Sequence, residues 1–180
     1  MNQSIILLPY EGVRFEAPYG EGTVRFGDTA ESVRKVLGSP ENDPSEETLF
    51  FHNANIQIHI GEGGVHFIEF AANPKKDGVA VCLEGHNLAG INAIDCVALL
   101  KQLNGDGSVA EDEAPESYAF QTLGLTVWQE VSYQGRLDEL NEAKAKGDDE
   151  ELEYLEEEAA LAEHFDSVAI GSQEYMKDYF

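Results

Sequence analysis

The clearest pattern in the chain is alternation. Ile56, Ile58 and Ile60 fall on one face of an extended segment, and Asn55, Gln57 and His59 fall on the other. Gly61-Glu62-Gly63-Gly64 follows as a hairpin turn and leads into Val65 to Phe70. Pairing Ile58 with Ile68, and Ile56 with Phe70, puts all four on one apolar face. Leu125, Val127, Val168 and Ile170 hold matching places further on. Two other segments have helical spacing: Val33, Val36 and Leu37, then Val97, Leu100 and Leu103. Asp28 with Glu31, and Asn92 with Asp95, predict the N-caps. Gly38-Ser39-Pro40 and Asn104-Gly105 predict the stops.

These segments recur in order. Glu11–Phe15 matches Asp77–Val81, and Asp28–Val33 matches Asn92–Val97. Phe51–Ile58 matches Phe120–Val127, and Val65–Phe70 matches Phe165–Ile170. The expected fold class is α+β: a tandem repeat of strand-helix-strand-strand units, 1–75 and 76–180. The units would form one antiparallel sheet with helices on one face and an open face in front. The last match is displaced by an insert at about 133–163. Leu137 and Leu140 form one stripe there, Leu152, Leu155 and Ala159 another, and Gly147 separates them. That spacing predicts a helical hairpin.

The units resemble the beta-lactamase-inhibitor-protein-like fold, whose single module also occurs in small outer-membrane assembly lipoproteins. The residues that carry the likeness are Phe26-Gly27-Asp28 before the first helix, Leu37-Gly38-Ser39-Pro40 after it, and the Ile56 to Phe70 hairpin. Set against the inhibitors, the chain is expected to have no disulfides and no signal peptide, and to lack the lipoprotein cysteine. The resemblance implies a protein-binding sheet face and no enzymatic activity.

Charge narrows the partners. Among 180 residues, 35 are Asp or Glu and 11 are Lys or Arg, for a net charge of −24. Nucleic acid and anionic lipid would both be repelled, so neither is an expected partner; a basic protein is. Between Asp138 and Glu163 the insert holds 12 acidic residues against Lys144 and Lys146. No apolar run reaches the ~20 residues of a membrane span. Cys82 and Cys96 sit in apolar stretches and are expected as buried thiols in a reducing, cytoplasmic setting.

Reactive constellations are sparse. His59 and His66 flank the hairpin turn, but the register that aligns the isoleucines puts them on opposite faces, so no metal site is expected. Asn104-Gly105-Asp106-Gly107-Ser108 lacks the spacing of a calcium loop and is expected to be a flexible acidic loop. No cofactor is expected, and the carboxylates cluster where water would keep them ordinary.

The candidate site is a protein-binding surface. Trp128, Phe120, Phe51, His59 and Phe67 are assigned as anchors on the face opposite the core. Glu150, Glu151, Glu153, Glu156, Glu157 and Glu158 would steer a basic partner. The expected function is that of a non-catalytic immunity or inhibitor protein, monomeric or homodimeric, that occludes a toxin or nuclease. The alternative is an assembly module or homodimeric scaffold that uses the open sheet face.

Overall fold

The computed structural model describes residues 4–147 and 149–180; the side chains of Asp149 and Glu150 lie outside that description. The chain is α+β, built from two sheets. The larger is antiparallel throughout, with seven strands. In chain order they are β4 (Thr48–Phe51), β5 (Ile56–Gly61), β6 (Gly64–Ala71), β9 (Val109–Ala110), β10 (Ser117–Phe120), β11 (Leu125–Trp128) and β12 (Ser167–Gly171). In space they run β4-β5-β6-β12-β11-β10-β9. The order is symmetric about the central β6–β12 pair, apart from the extra edge strand β9. The expected register holds: Ile58 pairs with Ile68 and Ile56 with Phe70, while Leu125 pairs with Ile170 and Val127 with Val168.

A second sheet was not anticipated. It holds β1 (Ile5–Leu8), β2 (Gly12–Phe15), β3 (Gly22–Arg25), β7 (Cys82–Leu83) and β8 (His86–Asn87), ordered β3-β2-β1-β7-β8. β1 and β7 are parallel. The strand expected at Asp77–Val81 is irregular chain. Val79 and Val81 are still buried there, and the Val79 amide bonds to Ala71 O at 2.8 Å. The core therefore lies between two sheets, with Phe15 from one and Phe70 from the other 6.2 Å apart between ring centroids.

The helices α1 (Ala30–Leu37) and α2 (Ala93–Asn104) close the same core. Val33, Cys96 and Leu100 are fully buried in it, with Val36, Leu37, Val97 and Leu103 at its margin. Asn92 caps α2 as expected, accepting from the Asp95 amide at 3.0 Å. The α1 cap is one residue later than expected. Thr29 accepts from Ser32 N, while Asp28 accepts from Arg25 N and closes the preceding turn. Burial pushes the Cys96 thiol up to about 12, which leaves it an inert core group.

Between β11 and β12 stands the helical hairpin of α3 (Tyr133–Lys146) and α4 (Asp149–Leu161). Gly147 adopts φ 73° and bonds back to Ala143 O, which stops α3. The two helices share a small apolar seam of their own, Leu140, Ala143, Leu152 and Leu155, separate from the main core. Arg136 joins them by reaching Glu158 of α4 at 3.3 Å, while also pairing with Glu139 of its own helix at 2.6 Å. No described helix is long and apolar enough to cross a membrane.

Candidate protein-binding surface

The expected anchors separate onto two faces. Antiparallel partners point to the same side of a sheet. Phe51 pairs with Ile56 and Phe120 with Leu125, so both rings enter the core, 2% and 0% exposed. They are not surface anchors. The cause for Phe51 lies in the β4–β5 turn, where His52, Asn53 and Ala54 all take positive φ. These turn residues are not extended, so the alternation that runs through β5 cannot be carried back to Phe51. The Glu41 carboxylate holds the turn by accepting from the Asn53 amide at 2.6 Å and the Ala54 amide at 3.0 Å.

On the outer face, His59, Phe67 and Gly171 form one row across the strands, and Ala71, Ser167, Trp128 and Ser117 another. Trp128 has only small neighbours in its row and is 46% exposed. Phe67 is covered. The short α5 (Gln173–Met176), which leads into the turn Lys177–Tyr179, crosses this face and sets Tyr175 4.6 Å from the Phe67 ring. Gly171 permits the approach: a Cβ there would lie 2.8 Å from Met176 Sδ and 2.9 Å from Tyr175 Cδ1. Tyr179 lies beside Ala119 and Ser117, and burial together with Tyr175 and nearby carboxylates pushes its phenol up to about 12. The face expected to be open is thus occupied over its central rows. What remains accessible is the end that carries Trp128.

The two hairpin histidines also depart from expectation. A register shift between His59 and Ile60 lets the pair share the outer face, with ring centroids 6.5 Å apart. His59 Nδ1 meets Thr48 Oγ at 3.2 Å, while Nε2 is buried without a hydrogen-bond partner, 3.9 Å from Glu69. Burial lowers the His59 pKa, outweighing the carboxylate of Glu69. Among the described residues no cluster of three or more His, Cys, Asp or Glu is placed to hold a metal ion. His164 is 8% exposed and contacts Ile91 O at 3.0 Å.

Trp128 stands at the root of the acidic hairpin. Along α4, Glu151, Glu153, Glu156 and Glu157 are exposed. Glu158 is half-buried against Arg136. The Glu150 side chain lies outside the described residues. Of the two other acidic loops, 41–47 precedes β4 at the far edge of the sheet, whereas 111–116 leads into β10 beside Trp128, its Glu116 carbonyl accepting from the Gln129 amide at 2.9 Å, so only the second adjoins this surface.

No protein-family model, no curated protein and no solved structure matches the chain.

A polar clamp unseen in the sequence pattern fixes the root. Asn73, 2% exposed, donates through Nδ2 to Leu161 O at 2.8 Å, Asp166 Oδ1 at 3.0 Å and His164 O at 3.3 Å. Its own Oδ1 accepts from the Lys75 amide. Asp166 accepts from the Glu130 amide at 2.9 Å and pairs with Lys76 at 2.8 Å. Both arms of the hairpin therefore converge on one buried junction. The helical hairpin ends at Leu161, and the Glu163 carbonyl just beyond it accepts from the Ala93 amide of the body. Asn104 does a similar job in the supposed flexible loop, holding Gly107 O, Ser108 O and the Thr122 amide.

Proposed function

We propose that the protein is a non-catalytic binding protein that occludes a basic partner, in the manner of an immunity or inhibitor protein. The observation that carries this reading is the carboxylate-rich ridge of α4, tied to the body at its root by the Asn73–Asp166 clamp. A net charge of −24 draws a cationic surface over long range, and an ordered ridge gives that attraction a docking direction. Trp128 at the root supplies a half-exposed aromatic contact beside the charge. Toxins and nucleases with basic clefts are the partner class this pattern suits, because carboxylates can stand where phosphates would otherwise bind. The likeness to the inhibitor-protein-like module, and the duplication it implies, fit the same reading.

The test is a pair of measurements. The immobilised protein is exposed to extract of its native host and eluted with salt; then the association rate of the purified captured protein is measured. The captured protein should be basic. Its association rate should fall at least about tenfold between low and high ionic strength. Joint Glu153→Gln, Glu156→Gln and Glu157→Gln substitution should slow association and flatten that salt dependence. A neutral or acidic captured protein, or a rate indifferent to both salt and the three substitutions, refutes the reading.

A further inference from the structure

The chain holds one Asn-Gly pair, Asn104-Gly105, where α2 ends. Such a pair can react with itself, because glycine has no Cβ to keep its amide nitrogen away from the preceding side chain. The fold stands against that chemistry. Asn104 is 1% exposed. Its Nδ2 donates to Gly107 O at 2.7 Å and Ser108 O at 3.2 Å, and its Oδ1 accepts from the Thr122 amide at 2.8 Å. The Gly105 amide, which would be the attacking group, donates to Gln102 O at 3.3 Å. Both reactants are therefore engaged elsewhere while the turn is closed. The turn itself is lightly built. Gly105 and Asp106 are exposed, and the chain runs on into β9, a two-residue strand at the sheet edge. Segments of that kind open locally at less cost than the interior of a sheet.

We propose that Asn104 is a deamidation site gated by the fold: the closed turn protects it, and its conversion in the open turn prevents the turn from closing again. In the open turn the Gly105 nitrogen attacks Asn104 Cγ. The bond from Cγ to that nitrogen forms, the Cγ–Nδ2 bond breaks, and ammonia leaves with the Gly105 amide proton. Water then opens the resulting succinimide at either carbonyl, giving aspartate or isoaspartate. Neither product fits the place that asparagine held. A carboxylate has no N–H for Gly107 O and Ser108 O, and on closing it would be buried facing both carbonyls. Isoaspartate in addition routes the main chain through the former side chain, so the end of α2 and Gly105 lose their spacing. The ammonia is gone and water is in excess, so the step runs one way. An opening of the β9 turn is thereby recorded as a permanent negative charge, whether or not a partner is bound.

The experiment ages the full chain in mildly alkaline buffer, with and without denaturing guanidinium chloride. Samples are digested at intervals, and chromatography with mass spectrometry resolves asparagine, aspartate and isoaspartate at each position. In denaturant Asn104 should convert faster than every other asparagine. In buffer it should convert at least about a hundredfold more slowly than in denaturant, the effect of three hydrogen bonds that must open first. Gly105→Ala should lose most of the rate in denaturant, a reading that needs no folded protein. Asn104→Asp stands in for one product. Its Gly107, Ser108 and Gln121 amides, which are bonded across the closed turn in the parent, should lose protection from hydrogen exchange while β5 and β6 keep theirs. Should Asn104→Asp not fold, the aged parent is returned from denaturant to buffer, and only its unconverted fraction should regain protection at those three amides. Equal conversion of Asn104 with and without denaturant, no preference for Asn104 in denaturant, or a converted fraction that regains protection at the turn overturns the proposal.

Discussion

Replacing Asn73 by alanine should loosen the acidic hairpin from the body. The Nδ2 group has two hydrogens for three acceptors at 2.8, 3.0 and 3.3 Å, so it counts as two full bonds; the Lys75 amide to Oδ1 is a third. A net value of about 1 kcal/mol each gives a loss of about 3 kcal/mol, and the carbonyls left buried add to it. Urea denaturation, followed by circular dichroism, measures the change directly. Hydrogen exchange supplies the location, with protection falling at the end of α4 and through residues 161–166 before it falls in β5 or β6. Asn73→Asp is the sharper control. It keeps the acceptor for Lys75 but turns a carboxylate toward Leu161 O, His164 O and Asp166. It should therefore be at least as damaging as alanine at neutral pH. If Asn73→Ala lies within about 0.5 kcal/mol of the parent, or exchange rises evenly across the molecule, the clamp is not what holds the root.

Three further outcomes follow from the same geometry. Deleting Arg136–Ala159 and bridging with a short Gly-Ser linker should leave a cooperatively unfolding body, because the hairpin seam is separate from the main core; a broad, non-cooperative melt would show the two to be one unit. Stability at His59 should be complete above about pH 6.5, the reference value, and should decline as pH falls toward its lowered folded-state value, since the unfolded chain takes up the proton first. His59→Gln should remove that part of the pH dependence, and an unchanged profile would count against the buried, neutral imidazole. Phe120→Ala should cost about 3–5 kcal/mol, as expected for a fully buried ring, and a loss below about 1 kcal/mol would return Phe120 to the surface.

Long-range register was readable because alternation and turn chemistry agree. Four isoleucine and phenylalanine positions on either side of a glycine-rich turn leave one pairing that buries them all, and the hairpin adopts it. What escaped was whatever interrupts the period. The left-handed residues 52–54 hid the facing of Phe51, and the shift at His59 hid the meeting of two histidines. The second sheet was missed because Cys82–Leu83 and His86–Asn87 are too short for any periodic signal. Asn73 and Asn104 were invisible for a different reason. A buried amide that satisfies distant carbonyls has no local spacing at all; the only hint is a polar residue beside an apolar run. The acidic ridge itself was legible from charge count and stripe spacing. Its attachment was not, since that depends on contacts between residues about ninety positions apart, as for Asn73 with Asp166.

The central position of β6 and β12 has a consequence for how the molecule is made. Ile68 and Ile170 are neighbours in space, yet the ribosome adds a hundred-odd residues after the first before it reaches the second. During that interval β6 has no neighbour on its inner side and could zip onto the wrong strand, in its own chain or in another. Mutual repulsion between nascent chains this rich in carboxylates would then act as a built-in chaperone, keeping half-made sheets apart until the missing strand arrives.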